Sequence, residues 1–314
     1  MNEESSKFVD KLALEKLLTE KLELVHHYPS GTIDFQKPFF DNFDHIKQTT
    51  NTNILKRDFG FSFLSPISSG YAENETCSVY AFETTNATHS IVFQHGIFED
   101  NRAIYNFLIK NLNILGINVY LSTMPYHYER KPADSLFSGE FFWSADVTRT
   151  RSAFVQGIYD LYTLYQIIRN KNQHSVILTG FSMGATLCLL LSTIIQELDG
   201  IVAINPAVSL SEIVWESPLC KTIKQDFITS GYTLEQIKNV YKSFEPACLN
   251  SIKYSSDRLM ICYGIYDQVT SPSQYNILVK KWDIQYINNY KAAHLNILRE
   301  PKLARDINNF IGTL

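Results

Sequence analysis

The pentapeptide Gly180-Phe181-Ser182-Met183-Gly184 is the part of this chain whose residue types could do chemistry. It follows an apolar run, 175–179, and opens another, 185–195. A serine at such a strand-to-helix corner is held on a sharp, strained turn, and the flanking glycines let the two backbones approach each other. The N–H of Met183 would lie at a helix N-terminus, where it can hold an oxyanion. The pattern predicts Ser182 as a nucleophile for acyl transfer.

A nucleophilic serine needs a base that takes its proton. The chain has eight histidines, and His294 is the only one that follows Ser182, as the expected order of serine, acid and histidine requires. It comes just after a weak apolar run, 284–287. We therefore expect His294 to be the base.

The base in turn needs an acid that orients it. Asp267 follows the apolar run 258–263, so it lies at the carboxyl end of a predicted strand, where open parallel sheets carry their catalytic groups. Asp257 and Asp283 precede strands and would face the opposite edge. The end of the preceding strand, where an acid is the known variation, holds Asn205. The predicted acid is Asp267.

A second oxyanion donor is predicted in the segment 95–100, which follows the apolar run 90–94. Gly96 permits a tight turn there, and the N–H of Ile97 is the expected donor. Removing one such donor costs about 3 kcal/mol of transition-state stabilisation. His95 is expected to make hydrogen bonds within the loop rather than to act as a base, and substrate contact is the other role open to it.

Short apolar runs alternate with helical patterns from about residue 61 onward. Strands alternating with helices predict a mostly parallel central sheet with helices on both faces, in one domain. The first two strands are expected to be an antiparallel pair. The predicted strands are 61–67, 77–82, 90–94, 117–122, 175–179, 200–205, 258–263 and 284–287, and the main predicted helices are 101–115, 147–169 and 301–311.

The strand-turn-helix serine, the acid and the histidine in this order, with a His-Gly loop upstream, resemble the α/β-hydrolase superfamily over residues 60–314. The loop after residue 122 is similar to that of dienelactone-hydrolase-like and acyl-peptidase-like bacterial members. The resemblance implies the α/β-hydrolase fold, Ser182 as nucleophile, His294 as general base and then acid, and Asp267 as its orienting acid. It also implies oxyanion N–H groups from Met183 and Ile97, and no metal or organic cofactor.

Residues 1–60 are predicted to be an N-terminal helical extension packed on the α/β-hydrolase domain, 61–314. Apolar residues at helical spacing predict a helix over 5–28, and residues 31–60 look irregular. The polar positions of the helix carry a slight excess of acid, whereas a membrane-surface helix is normally basic. We therefore expect the helix to pack on the core or on a second copy in a homodimer.

Two segments are candidates for the roof of the substrate pocket. In the first, 123–143, Tyr126, His127 and Arg130 either contact a polar or anionic substrate group or anchor an ordered loop. The second is a small helical cap insertion at about 206–252, whose helix from residue 233 is predicted by a capping box. The large apolar residues of the cap either line the pocket or, as favoured for each one, bury the cap: Trp215, Leu219, Phe227 and Phe244.

The composition excludes other classes of protein. With 314 residues and a net charge of −4, the chain gives no electrostatic case for nucleic acid. Its five cysteines are scattered, which argues against disulfides and zinc. The longest apolar stretch, 185–195, is too short to span a membrane. Because the N-terminus has no apolar signal region, a cytoplasmic location is the expectation.

The predicted function is that of a serine hydrolase of carboxylesterase type. It would cleave a carboxylic ester, or a related thioester or amide, of a small acyl substrate through an acyl-enzyme on Ser182. Three alternatives stay open: an acyltransferase using the same triad, a non-catalytic ligand-binding protein with this fold, and a lyase that retains the triad. The fold does not specify the acyl group or the leaving group.

Overall fold

The computed structural model describes residues 2–18, 26–30, 53–250 and 252–314. Their strands are β1 Ile54–Arg57, β2 Gly60–Leu64, β3 Thr76–Phe82, β4 His89–Gln94, β5 Ile117–Ser122, β6 Val176–Phe181, β7 Gly200–Ile204, β8 Leu259–Gly264 and β9 Tyr286–Tyr290. These strands form one sheet in the order β1-β2-β3-β5-β4-β6-β7-β8-β9. The first three are joined antiparallel, and β3 pairs antiparallel with β5. From β5 to β9 every pairing is parallel.

The central parallel strands are buried along their whole length, because helices cover both faces of the sheet. Successive residues of each strand point to opposite faces, so the strands divide their side chains between two cores. One core includes Leu178 and residues of α3, α4 and the segment after β7, and the other includes Ile177 and residues of α2 and α9. The helices are α1 Glu3–Leu17, α2 Asn106–Ile114, α3 Val147–Lys171, α4 Met183–Ser192, α5 Leu210–Glu216, α6 Lys221–Thr229, α7 Leu234–Tyr241, α8 Pro272–Trp282 and α9 Pro301–Ile311.

The fold class is as the sequence predicts: a mostly parallel central sheet between two layers of helices. The predicted antiparallel pair is β2 and β3. The predicted cap helices are α5, α6 and α7, between β7 and β8, and α7 begins with the expected capping box at Thr233. Residue 251, near the end of the predicted insertion, lies outside the described residues.

The N-terminal part differs from the prediction in two places. The helix expected over 5–28 is α1, Glu3–Leu17, and residues 26–30 have no helical structure; residues 19–25 lie outside the described residues. The sheet begins at Ile54, within the segment expected to be irregular, because β1 pairs with β2 across a short turn. Every residue of β1 is exposed, so the strand shows no alternation of buried and exposed positions that a sequence pattern could reveal. Residues 31–52 also lie outside the described residues.

Candidate active site

Ser182 lies at the turn between β6 and α4, with φ 53° and ψ −119°. A non-glycine residue with positive φ stores strain of about 1–3 kcal/mol, and such residues cluster at functional sites. Two positions before and two positions after Ser182, glycine is present for a steric reason. A Cβ at Gly184 would lie 2.2 Å from the carbonyl oxygen of Gln94, and a Cβ at Gly180 would lie 2.3 Å from the backbone of Gly184. The turn therefore requires glycine at both positions.

Ser182, His294 and Asp267 meet at the carboxyl edge of the sheet. The Oγ of Ser182 lies 3.0 Å from Nε2 of His294, and Nδ1 of His294 lies 2.7 Å from Oδ2 of Asp267. Their exposed fractions are 4%, 5% and 6%, so all three are nearly withdrawn from water. The three residues that the sequence selected are thus connected in one hydrogen-bonded row.

The carboxylate of Asp267 is held by the turn that follows β8. Its Oδ1 accepts hydrogen bonds from the N–H groups of Val269, at 2.8 Å, and Thr270, at 2.9 Å. Its Oδ2 accepts one from Oγ1 of Thr270, at 2.8 Å, in addition to the contact with His294. These donors hold the carboxylate in the orientation that faces the imidazole.

His294 lies on the loop after β9, and its main chain is held from two sides. Its N–H donates to Oδ2 of Asp10 at 2.7 Å, and its carbonyl oxygen accepts from Nδ2 of Asn205 at 2.9 Å. Burial by itself lowers the pKa of His294, but the negative charge of Asp267 and its hydrogen bond outweigh burial, with smaller contributions from Asp10 and Glu99. The pKa is therefore raised above 6.5.

The loop after β4 presents the predicted oxyanion donor. Gly96 donates its N–H to Oε1 of Glu99 and to the hydroxyl of Tyr105, and Phe98 donates to Nε2 of His127. The N–H of Ile97 lies between them and, like that of Met183, donates no hydrogen bond within the described part of the chain. Neither N–H is therefore engaged by a partner among these residues.

The side chain of Glu99 ties this loop together through hydrogen bonds. Its carboxyl accepts hydrogen bonds from the hydroxyls of Tyr105, at 2.6 Å, and Tyr128, at 3.1 Å, besides the N–H of Gly96. Burial raises the pKa of Glu99 to about 7, although these donors oppose the shift. The sequence places Glu99 in this loop but does not indicate a role for it. The reason is that the two tyrosines that bind its carboxyl lie in two other segments of the chain.

A cavity of about 220 Å³ opens beside Ser182 and His294. Most of its lining is apolar, and it is formed jointly by the loop after β4, by α1 and by the start of the cap. The lining residues are Asp10, Ala13, Leu14, Lys16, Leu17, Gly96, Ile97, Phe98, Glu99, Asp100, Asn101, Ile104, Phe181, Ser182, Leu219, Val269, His294 and Leu295. Of the predicted cap residues, Leu219 reaches this cavity, whereas Phe227 and Phe244 are buried in the core.

The four residues for which the sequence left substrate contact open do not line this cavity. His95 is fully buried and accepts from the N–H of Met124, and His127 is fully buried between the carbonyl of Pro125 and the N–H of Phe98.

The side chains of the other two, Arg130 and Tyr126, are also buried within the protein. Arg130 is fully buried and binds Asp160 at 2.7 Å, and the ring of Tyr126 is buried against the rings of Tyr71 and Phe141. Their groups are used to anchor the loop, which was the alternative interpretation. The sequence marks the residues of the loop but not the direction in which each side chain points.

The described residues contain neither a candidate metal site nor a candidate membrane-spanning helix. Among them, no three histidine, cysteine, aspartate or glutamate side chains are grouped so that they could hold a metal ion. None of the helices in these parts of the chain is long and apolar enough to cross a membrane.

Comparison with known proteins gives matches in structure alone. No family model and no curated protein matches the chain. An acetyl xylan esterase from Paenibacillus sp. R4 matches with 12% identity and a TM-score of 0.60, covering 96% of this chain and 99% of that one. Acetyl xylan esterase 1 from Thermoanaerobacterium sp. JW/SL YS485 matches with 15% identity and a TM-score of 0.55, covering 90% and 93%.

The acylaminoacyl peptidase of Pyrococcus horikoshii matches with 14% identity and a TM-score of 0.55; the match covers 87% of this chain and 43% of the peptidase. At such identities the likeness concerns the fold. These structures share the mostly parallel sheet with a helical layer on each face, and the resemblance inferred from the motifs is confirmed at that level. The chain has the α/β-hydrolase fold.

Proposed function

We propose that this protein is a serine hydrolase that cleaves a carboxylic ester through an acyl-enzyme on Ser182. The observation that carries the proposal is the row of contacts from Ser182 Oγ to His294 Nε2, at 3.0 Å, and from His294 Nδ1 to Asp267 Oδ2, at 2.7 Å. A nucleophile, a base within hydrogen-bond reach and an acid that orients the base are the three parts that acyl transfer needs. The strained backbone of Ser182 adds support.

In the proposed reaction, Ser182 Oγ attacks the ester carbonyl while Nε2 of His294 takes the serine proton. The carbonyl oxygen becomes an oxyanion that accepts hydrogen bonds from the N–H groups of Met183 and Ile97. The C–O bond to the alcohol then breaks, and His294 gives its proton to the leaving alkoxide. Water attacks the acyl-enzyme with His294 again as base, so that the acid is released and Ser182 regains its proton.

The size and the mainly apolar lining of the cavity favour an uncharged acyl group as the ligand. Its lining is mainly apolar, and a cavity of about 150 Å³ is large enough to bind benzene. At about 220 Å³ this cavity accommodates a phenyl ring or an aliphatic chain of moderate length. The acetyl xylan esterases and the peptidase of the same fold act on the groups that their names state, and their identity to this chain is too low to assign one of them.

Labelling with a fluorophosphonate, followed by mass mapping, tests the nucleophile. We expect the label on Ser182 and its loss in Ser182→Ala, with turnover of p-nitrophenyl esters lowered by several orders of magnitude because the triad acts as a unit. Ser192→Ala is the matched control: Ser192 lies in α4, and its hydroxyl donates only to the carbonyl of Leu189. This variant should keep both label and turnover. Wild-type turnover in Ser182→Ala would contradict the proposal.

A second assay separates hydrolysis from acyl transfer on the same residues. Turnover of a p-nitrophenyl ester is followed with increasing concentrations of added alcohols and amines, and the products are analysed. A hydrolase releases the free acid throughout, whereas an acyltransferase forms the new ester or amide in preference to the acid.

A further inference from the structure

Helix α1 delivers one carboxylate to the loop that carries His294. Asp10 is 1% exposed, and its Oδ2 and Oδ1 accept hydrogen bonds from the N–H groups of His294, at 2.7 Å, and Leu295, at 3.0 Å. A single side chain therefore holds two consecutive peptide groups that lie more than 280 residues away in the chain. Hydrogen bonds to an ionised acceptor are about twice as strong as neutral ones.

Asn205, which directly follows β7, holds the opposite side of the same peptide. Asn205 donates from Nδ2 to the carbonyl oxygen of His294 at 2.9 Å and accepts at Oδ1 from the N–H of Gly264 at 2.8 Å. His294 itself belongs to no helix or strand. Its main chain is thus held between a buried residue of the core, Asn205, and a buried residue of α1, Asp10.

Asp10 also contributes to the electrostatics around His294. Within the described ranges, the carboxylates that act on His294 are Asp267, Asp10 and Glu99, and Lys16 is a basic residue on the lining of the same cavity. Burial raises the pKa of Asp10, and the charge of His294 and the two N–H donors oppose that shift. In its ionised form Asp10 favours the imidazolium that forms whenever His294 takes the serine proton.

We propose that Asp10 is a positioning residue for the reaction: it holds the His294 loop in place, and its charge stabilises the imidazolium that forms on His294. The inference rests on the proposed function, because it assigns Asp10 a role through His294 and not through direct action on Ser182. It makes α1 a working part of the active site as well as a segment packed on the domain.

Asp10→Asn is the central test, since asparagine has the same shape but no charge and points an amide donor at one of the two N–H groups. We expect kcat to fall about tenfold or more, because a displacement of about 1 Å in a catalytic group can cost on the order of 100-fold. The change in KM should be smaller. The acid limb of the kcat/KM profile, which reports the free-enzyme pKa of His294, should move to lower pH.

Three further variants isolate the role of the charge. Glu4→Gln removes a charge from the exposed side of the same helix and should behave as wild type. Ser6→Ala removes the hydrogen bond that Ser6 Oγ accepts from Asn296, at 3.0 Å, and should leave the acid limb in place. Asp10→Glu keeps the charge while displacing the oxygens, so it should retain the wild-type acid limb with a lower kcat.

The outcomes distinguish this inference from the function on which it rests. A folded Asp10→Asn with wild-type kcat and acid limb would overturn it, and so would an acid limb that Ser6→Ala shifts as far as Asp10→Asn does. Should Asp10→Asn fail to fold, an acid limb in Asp10→Glu that falls to lower pH would overturn the role of the charge. Turnover surviving in Ser182→Ala would instead refute the proposed hydrolase.

Discussion

Replacing Arg130 by Met separates a structural role from substrate binding. The guanidinium is fully buried and donates to Asp160 at 2.7 Å, to the carbonyl of Thr123 at 2.9 Å and to the carbonyl of Asn74 at 2.7 Å. It therefore joins the loop after β5 to α3 and to the turn before β3.

The expected loss of stability follows from these contacts. Arg130→Met leaves the buried carboxylate of Asp160 without its partner, which costs about 3–5 kcal/mol. The two carbonyl groups lose charge-assisted donors, so we place the total near the upper end of that range. Since whole proteins are stable by about 5–15 kcal/mol, this one change removes a large fraction of the free energy of unfolding. Urea unfolding followed by circular dichroism measures the loss.

Two controls sharpen the measurement. Arg169→Met breaks an ion pair with Asp199 whose arginine side chain is 42% exposed, so it should cost about 0–1 kcal/mol. Arg130→Met combined with Asp160→Leu removes the uncompensated charge and should recover part of the loss, while the carbonyls of Thr123 and Asn74 keep only their neutral donors, Sγ of Cys77 and Nε2 of Gln156. A stable Arg130→Met that specifically loses turnover of anionic esters would refute the reasoning, because it would place the guanidinium on the substrate.

Two further predictions concern the serine turn and the loop after β4. Gly184→Ala should lower stability by about 1–3 kcal/mol and abolish fluorophosphonate labelling, because its Cβ would lie 2.2 Å from the carbonyl of Gln94; Gly312→Ala, with 3.4 Å to its nearest atom, is the control and should do neither. Glu99→Gln should raise the free energy of unfolding at pH 8 relative to wild type by up to about 3 kcal/mol, with the gain vanishing near pH 4. The sign follows because burial raises the pKa of Glu99 from 4.5 to about 7, so stability is lost as pH rises through the folded value. Equal urea midpoints for Glu99→Gln and wild type at pH 8 would contradict this.

The pattern of apolar runs was sufficient to predict most of the sheet and its helices. Short runs separated by helical segments have a local cause, since parallel strands must be buried on both faces and joined by crossover helices. The requirement for glycine on both sides of Ser182 could also be predicted from the sequence, because close backbone contact around the turn excludes a side chain there. β1 escaped prediction because all its residues are exposed.

The sequence likewise predicted one part of the candidate site and missed another. The positions of Ser182, Asp267 and His294 at strand ends follow from the chain order, and the structure connects them; their catalytic roles stay predictions until labelling and mutation test them. The direction of the Arg130 side chain did not follow from the sequence. An arginine in a loop has the same local pattern whether it faces a substrate or a buried aspartate.

What the sequence by itself determined is the architecture and the three residues that meet at its edge, because both arise from local periodicity and from the order of elements along the chain. Only the tertiary structure decided that α1 lines the cavity and that Asp10 holds the His294 loop. The physical reason is that these contacts join residues separated by almost the whole chain, through hydrogen bonds that depend on where a packed helix comes to rest. No spacing of residue types within one sequence encodes that position.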